Sequence, residues 1–369
     1  MRADGIPLLD LSSSNPTAVD FDYPHQEIAK ALSDAGDLGY TPDPLGESKA
    51  RQAVQTYYSR RALHVEIDRI LLTASTSEAY GYLFKLLCNP GDEVLVPRPS
   101  YPLFEYLASL ESVRITPYSL RYDGSWHVDF EDLKRRILPR TRAIVVVNPN
   151  NPTGSFLKKG EADRLLALAA ELEIPVIADE VFFDYPLALT NGMAATLVNR
   201  HEVLSFSLNG LSKAAGMPQM KLGWIVLNGP PEERERARQR LELILDTYLS
   251  VNTPVQRALP VLLVAGESMQ TQIAKRTSRN LAVLVDLLCD SAAHPLHTEG
   301  GWSAIVRLPG TQDEEKWLFD LLEQRVVTQP GYFFDLDCGE SLVISLITPP
   351  KIFHEGIYRM KNLVDRVAG

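Results

Sequence analysis

One lysine stands in "NGLSKAAGMPQMKLGW", residues 209–224, a connection built mostly of small residues. The apolar run "VLSFSL" (203–208) comes before it and "KLGWIVL" (221–227) closes it, and both read as buried strands. A long cationic side chain in so tight a connection has two readings. It is a solvated loop lysine, as most lysines are, or it is a nucleophile that forms a Schiff base with a carbonyl cofactor. Lys213 alone does not separate the two.

Four more features fall at the ends of predicted strands. "TASTSEA" (73–79) places Ser and Thr at a helix start, where free N–H groups and the helix dipole favour a phosphate. Taken alone, the stretch is explained more readily by ordinary capping through Ser75 or Thr76. In "PSYPLF" (99–104), Tyr101 sits between prolines, placed to stack on a planar ring or simply to join the core. "NPNNPTG" (148–154) is a loop by composition, and its Asn amides are also placed to bind a ligand oxygen. In "PVIADEVFFDY" (175–185), Asp179 ends an apolar strand, where a carboxylate needs a partner. A protonated ring nitrogen, an arginine or a helix N-terminus would each serve.

The elements that must carry these residues alternate. Between about 69 and 227 the strand-like runs "RILLT", "DEVLVP", "SVRITPYSL", "AIVVVNP" and "PVIADE" are interleaved with helical patterns such as "STSEAYGYLFKLL" and "KKGEADRLLALAAEL". That order predicts an α/β fold, a mainly parallel sheet with helices on both faces and its site beyond the strands' carboxyl ends. From 230 onward, long amphipathic helices lead into a smaller α+β piece, and 369 residues exceed one usual core. Residues 1–45 are Pro- and Ser-rich and are expected to pack across both parts.

Composition narrows the function. The net charge is −10 with no basic block, which argues against nucleic acid as a partner. No run approaches the ~20 apolar residues of a membrane span, and the N-terminal residues do not read as a signal peptide. Cys88, Cys289 and Cys338 lie far apart and read as reduced thiols of a cytoplasmic protein. The seven histidines include no HExxH, so no metal is expected.

Taken in order, "NPNNPTG", "ADEVF" and "LSK…KLGW" resemble the fold-type I pyridoxal-phosphate enzymes, specifically the class I/II (aspartate aminotransferase-like) aminotransferases. The resemblance runs from about Asn15 to the final helix. It implies a seven-stranded-type large domain over 46–255, an N-terminal segment over 1–45, and an interdomain helix and small domain over 256–369. It implies that Lys213 holds pyridoxal 5′-phosphate as a Schiff base and shuttles a proton at the substrate α-carbon. Asp179 would hold the ring nitrogen, Asn151 the 3′-oxygen, and Tyr101 the ring face. Ser75, Thr76 and Ser77 would hold the phosphate, joined by Tyr40 of a neighbouring subunit in a homodimer with shared sites.

Four departures from the family pattern stand out. Lys221 replaces a phosphate-binding Arg, keeping the charge but losing the bidentate fork. Gly210 replaces a Ser, with Ser207 or Ser212 as substitutes. Phe182 replaces a Tyr that donates to the 3′-oxygen. Val343, in "SLVISLITPP", stands where an Arg clamps the substrate α-carboxylate. Arg307, Arg98 or the Ser13–Asn15 backbone would then bind the carboxylate, or the substrate carries none there. The resemblance implies an aminotransferase acting on an amine or amino acid and an oxo acid, with atypical substrate choice. A lyase or decarboxylase on the same scaffold is the alternative, and a non-catalytic relative that binds the cofactor is a third reading.

Overall fold

The computed structural model describes residues 7–35, 39–188 and 196–369. Residues 1–6 and 36–38 of the expected N-terminal segment lie outside the described residues. Short runs of β-branched and aliphatic residues between turn residues form the strands, numbered here along the chain. They are β1 (Leu9–Asp10), β2 (Ile70–Thr73), β3 (Glu93–Arg98), β4 (Arg114–Tyr122) and β5 (Trp126–Val128). Next come β6 (Thr141–Val147), β7 (Val176–Asp179), β8 (Ser205–Gly210) and β9 (Gly223–Asn228). Last are β10 (His294–Pro295), β11 (Ser303–Arg307), β12 (Val326–Val327), β13 (Gln329–Pro330) and β14 (Ser341–Ser345).

The large sheet has the order β2-β9-β8-β7-β6-β3-β4-β5. Strand β9 runs against both of its neighbours, and β5 folds back on β4 as a hairpin; the other six are parallel. The expected seven strands are therefore joined by a short eighth. Successive residues alternate between two buried faces, as a sheet covered on both sides requires. Val94, Val96, Ala143 and Val145 meet the helices Thr76–Leu87 and Pro231–Tyr248, while Leu95, Ile144 and Val146 meet the helix Lys159–Glu171.

A four-stranded antiparallel sheet, β10-β11-β14-β13, makes the smaller unit. Its core packs Ala304, Val306, Leu342 and Ile344 against Trp317, Phe353 and Ile357 of two helices, Glu314–Glu323 and Pro350–Ala368. The helix Thr253–Leu287 joins the two units, with Val255 to Met269 in the large unit's core and Leu284 in the small one's. The N-terminal segment touches both: β1 pairs with β12, whereas Tyr23, Ile28 and Ala31 join the large unit's core, their helix His25–Asp34 lying against the helix Thr253–Leu287. Among the described residues, no helix is long and apolar enough to cross a membrane.

Candidate active site

Strands β2, β3, β6, β7 and β8 run in one direction, so their carboxyl ends bring the singled-out residues to one edge. Lys213 follows β8 in the short helix Leu211–Ala214. The Tyr185 hydroxyl donates to the Lys213 carbonyl oxygen at 2.6 Å, which fixes the backbone of that turn. The amine Nζ lies 5.5 Å from the centre of the Phe182 ring and 5.2 Å from that of Trp302. It bonds no acceptor and pairs with no carboxylate among the described residues. Burial pushes the amine's pKa down and the Asp179 charge partly offsets this, so a neutral, nucleophilic amine is favoured over an exposed lysine's.

Asp179 ends β7. Its Oδ1 accepts from the Val181 N–H at 3.2 Å and its Oδ2 from the Tyr80 hydroxyl at 3.2 Å. Burial raises its pKa to about 6, against the pull of these two donors and of Lys213. No cation of the described residues forms an ion pair with it. Neighbouring Glu180 faces elsewhere, bonded to the Thr196 hydroxyl and, at 2.7 Å, to the Leu197 N–H.

The turn after β6 separates its asparagines. Asn148 Oδ1 accepts from the Leu157 N–H at 3.0 Å, and Asn150 Oδ1 from the Thr153 hydroxyl at 3.0 Å, so both brace the loop. Asn151 is only partly buried. Its Oδ1 accepts from Ser303 Oγ at 3.3 Å, which leaves the amide NH2 free to donate. At the end of β2, Ser75 caps the helix Thr76–Leu87, its Oγ accepting from the Glu78 N–H at 3.1 Å. Glu78 Oε2 accepts in return from the Ala74 N–H at 2.6 Å. The first bond satisfies one N–H group of the helix start, and the second ties the residue before the cap to the same turn. Those of Thr76 and Ser77 have no intrahelical acceptor and remain available to an anion. Tyr101 follows β3 and is 46% exposed.

The place of the expected carboxylate clamp is apolar. Val343 pairs with Ile305 of β11 and Gln329 of β13, and it is 2% exposed. It packs with Trp126, Leu296, Ile305 and Phe334, a plug between the β4–β5 hairpin and the small sheet. Arg98 and Arg307 line a surface cavity beside this plug, with Asp335 and Asp337. Arg98 Nε is turned to the Asp335 carbonyl at 3.4 Å. Arg307 lies four residues along β11 from Ser303, about 13 Å at ~3.3 Å per residue. No hydrogen bond links either arginine to Asn151 among the described residues, where Asn151 Oδ1 meets Ser303. Ser13 is tied through its carbonyl to Ser345 Oγ at 2.6 Å, and exposed Asn15 uses Oδ1 to cap the turn at Thr17.

Residues 6–352 match the model of the family "Aminotransferase class I and II". The chain belongs to this family. It is 30% identical to the glutamate-pyruvate aminotransferase AlaA of Escherichia coli (strain K12) over 349 residues, 91% of this chain and 85% of that protein. It is 28% identical to the alanine aminotransferase of Mycobacterium tuberculosis (strain H37Rv), over 95% of this chain and 78% of that protein. The solved structure of an alanine aminotransferase from Pyrococcus furiosus superposes with a TM-score of 0.88 at 24% identity, over 99% of this chain and 94% of that one, a likeness of fold.

Class I/II aminotransferases use pyridoxal phosphate, and the donor set here fits it. A carbonyl needs an unpaired amine, which Lys213 has. A protonated ring nitrogen needs a carboxylate with no cation of its own, as Asp179 is. A phenolic oxygen needs a free donor, which Asn151 offers, and the phosphate needs open N–H groups at a helix start.

Two features of the candidate site have no signal in the sequence strong enough to single them out. Tyr80 reaches Asp179 from one turn beyond Thr76, an i,i+4 spacing that "TASTSEAY" displays. Trp302 and Ser303, far along the chain, reach Phe182 and Asn151; the ring centres of Phe182 and Trp302 lie 5.3 Å apart at 71°. Only the tertiary fold brings them there. Phe182 has no polar atom with which to reach the 3′-oxygen.

The structure corrects one expected substitute. Ser207 is fully buried in mid-strand and its Oγ accepts from Asn228 Nδ2 at 3.2 Å. Asn228 Oδ1 in turn binds Arg69 at 2.6 Å, so Ser207 belongs to a structural polar cluster and not to the phosphate site. Ser212, half-buried beside Lys213, is left as the nearby hydroxyl. Lys221 is exposed with φ +48 and has no carboxylate partner among the described residues.

Gly210 has a steric reason. It pairs with Gly223, and a Cβ on Gly210 would lie 2.9 Å from the Gly223 Cα. Gly223 in turn allows β9 to approach the helix start, since its own Cβ would meet Thr76 N at 3.2 Å. Gly210→Ser should therefore cost about 1–3 kcal/mol of stability without improving cofactor affinity. An unchanged melting temperature would contradict this.

Proposed function

We propose that this aminotransferase moves an amino group from a donor that is not gripped by an α-carboxylate arginine to an oxo acid. The observation that carries the reading of the site is the unpaired, buried Lys213 amine, close enough to the Asp179 carboxylate to feel its charge. Pyridoxal phosphate supplies a carbonyl that takes up an amino nitrogen, and a ring that accepts the electron pair left when a bond to the substrate α-carbon breaks. Lys213 attaches the cofactor and, when free, takes and returns the proton at the α-carbon. Asp179 keeps the ring nitrogen protonated. Asn151 donates to the 3′-oxygen, Tyr101 covers the ring, and Ser75, Thr76, Ser77, Ser212 and Lys221 hold the phosphate end.

Val343 and its apolar neighbours support the atypical donor. The glutamate-pyruvate and alanine aminotransferases similar to this chain are named for α-amino acids, and a valine plug offers an α-carboxylate no charge-assisted pair. An amine, or an amino acid whose carboxylate lies elsewhere, fits better. A half-reaction screen tests this: each donor is mixed with the loaded enzyme and conversion of the cofactor to its amino form is followed by absorbance. Net conversion supports transamination. Product release without conversion would make the enzyme a lyase or decarboxylase.

Tyr40 supports a homodimer with shared sites. It is 66% exposed and lines a groove with Leu249 and Ser250, next to exposed Tyr248. Such an aromatic and apolar edge suits a second copy of this chain, in which Tyr40 would complete the partner's phosphate site. Light scattering should give twice the chain mass at micromolar concentration; a fully active monomer would refute the shared site.

A further inference from the structure

We propose that Tyr80 is the positioning residue that orients Asp179 toward the cofactor's ring nitrogen, acting through a hydrogen bond and not by touching the cofactor. The inference rests on the reading of Asp179 as the ring-nitrogen partner. Tyr80 is 3% exposed, and its ring is wedged edge-on against Phe104, with centres 5.3 Å apart at 77°. A ring held this way cannot swing its hydroxyl, which donates to Asp179 Oδ2 at 3.2 Å. The Val181 N–H holds Oδ1 at the same distance. One donor on each oxygen, one fixed by the backbone and the other by packing, sets the plane of the carboxylate.

Other groups face Asp179 without bonding to it. Lys213 comes from the turn after β8, and Tyr101 comes from the loop after β3. Glu180 is adjacent in the chain but bonded to Thr196 and Leu197. Burial drives Asp179 toward its neutral form, and the Tyr80 hydroxyl is one of the few groups that oppose this. A carboxylate that became neutral near physiological pH could no longer hold a proton on the ring nitrogen. Tyr80 also stands one helical turn beyond Thr76, on the same face. A single helix thus addresses both ends of the cofactor, the phosphate through its first turn and the ring nitrogen through Tyr80 and Asp179.

The test is titration of the cofactor-free protein with pyridoxal phosphate over a series of pH values, for wild type, Tyr80→Phe, Asp179→Asn and the double variant. Tyr80→Phe keeps the packed ring and removes only the donor. It should weaken binding about tenfold near neutral pH, and it should move the acid limb of the affinity profile to higher pH. In the Asp179→Asn background, Tyr80→Phe should change nothing further. A Tyr80→Phe profile that overlays wild type, while Asp179→Asn loses affinity, overturns the proposal alone. So does an equal loss from Tyr80→Phe with and without the Asp179 carboxylate. A wild-type profile for Asp179→Asn overturns the reading of Asp179, and the proposal with it.

Discussion

Lys213→Ala should fold normally and turn over substrate at least about 10³-fold more slowly than wild type. One amine serves as both the attachment point and the proton carrier, and groups that act as a unit lose most of their effect when one is removed. The fold should tolerate the change because Nζ makes no hydrogen bond among the described residues, so truncation leaves none of them unsatisfied. No other lysine is placed to substitute. Lys158 is engaged by Glu299, and Lys221 is exposed beyond the end of the turn. Steady-state kinetics with the best donor from the half-reaction screen checks this, and turnover within tenfold of wild type would remove Lys213 from the mechanism.

Val343→Arg should raise kcat/KM for simple α-amino acids such as alanine and glutamate by roughly tenfold to a hundredfold. A charge-assisted contact to a carboxylate contributes on the order of 1.5–3 kcal/mol. Val343 itself has no such group to offer, and it is sealed among Trp126, Leu296, Ile305 and Phe334. The new guanidinium would have to displace part of this plug, so the free variant should also be less stable than wild type. The rival account is that Arg98 or Arg307 moves in to take the carboxylate. It predicts good wild-type use of alanine or glutamate, lost when the responsible arginine is changed to alanine. That pattern would refute an unreplaced clamp.

The sequence displays the large sheet well because its signal is local. Runs such as "AIVVVNP" and "PVIADE" are apolar on both faces, and each ends in the residues that reach the site. Lys213, Asp179 and Asn151 stand out as candidates for the same reason: strand ends point the same way once the sheet is parallel. The departures were visible as letters, but their causes were not. Gly210 looks like a lost serine until its pairing with Gly223 shows that a side chain has no room. Ser207 is a serine close enough in the chain to stand in for the one missing at Gly210, whereas its hydroxyl is bonded within the core to Asn228. Ser303 and Trp302 depend on contacts across some 120 residues or more, and no local pattern reports them.

Reduction of the loaded enzyme with borohydride, followed by peptide mapping, identifies the attachment residue. Borohydride fixes the cofactor to whichever amine holds it. The protein should be yellow, and after reduction the label should lie on the peptide containing Lys213 and nowhere else. Label on Lys158, Lys159 or Lys221, with Lys213 unmodified, would contradict it.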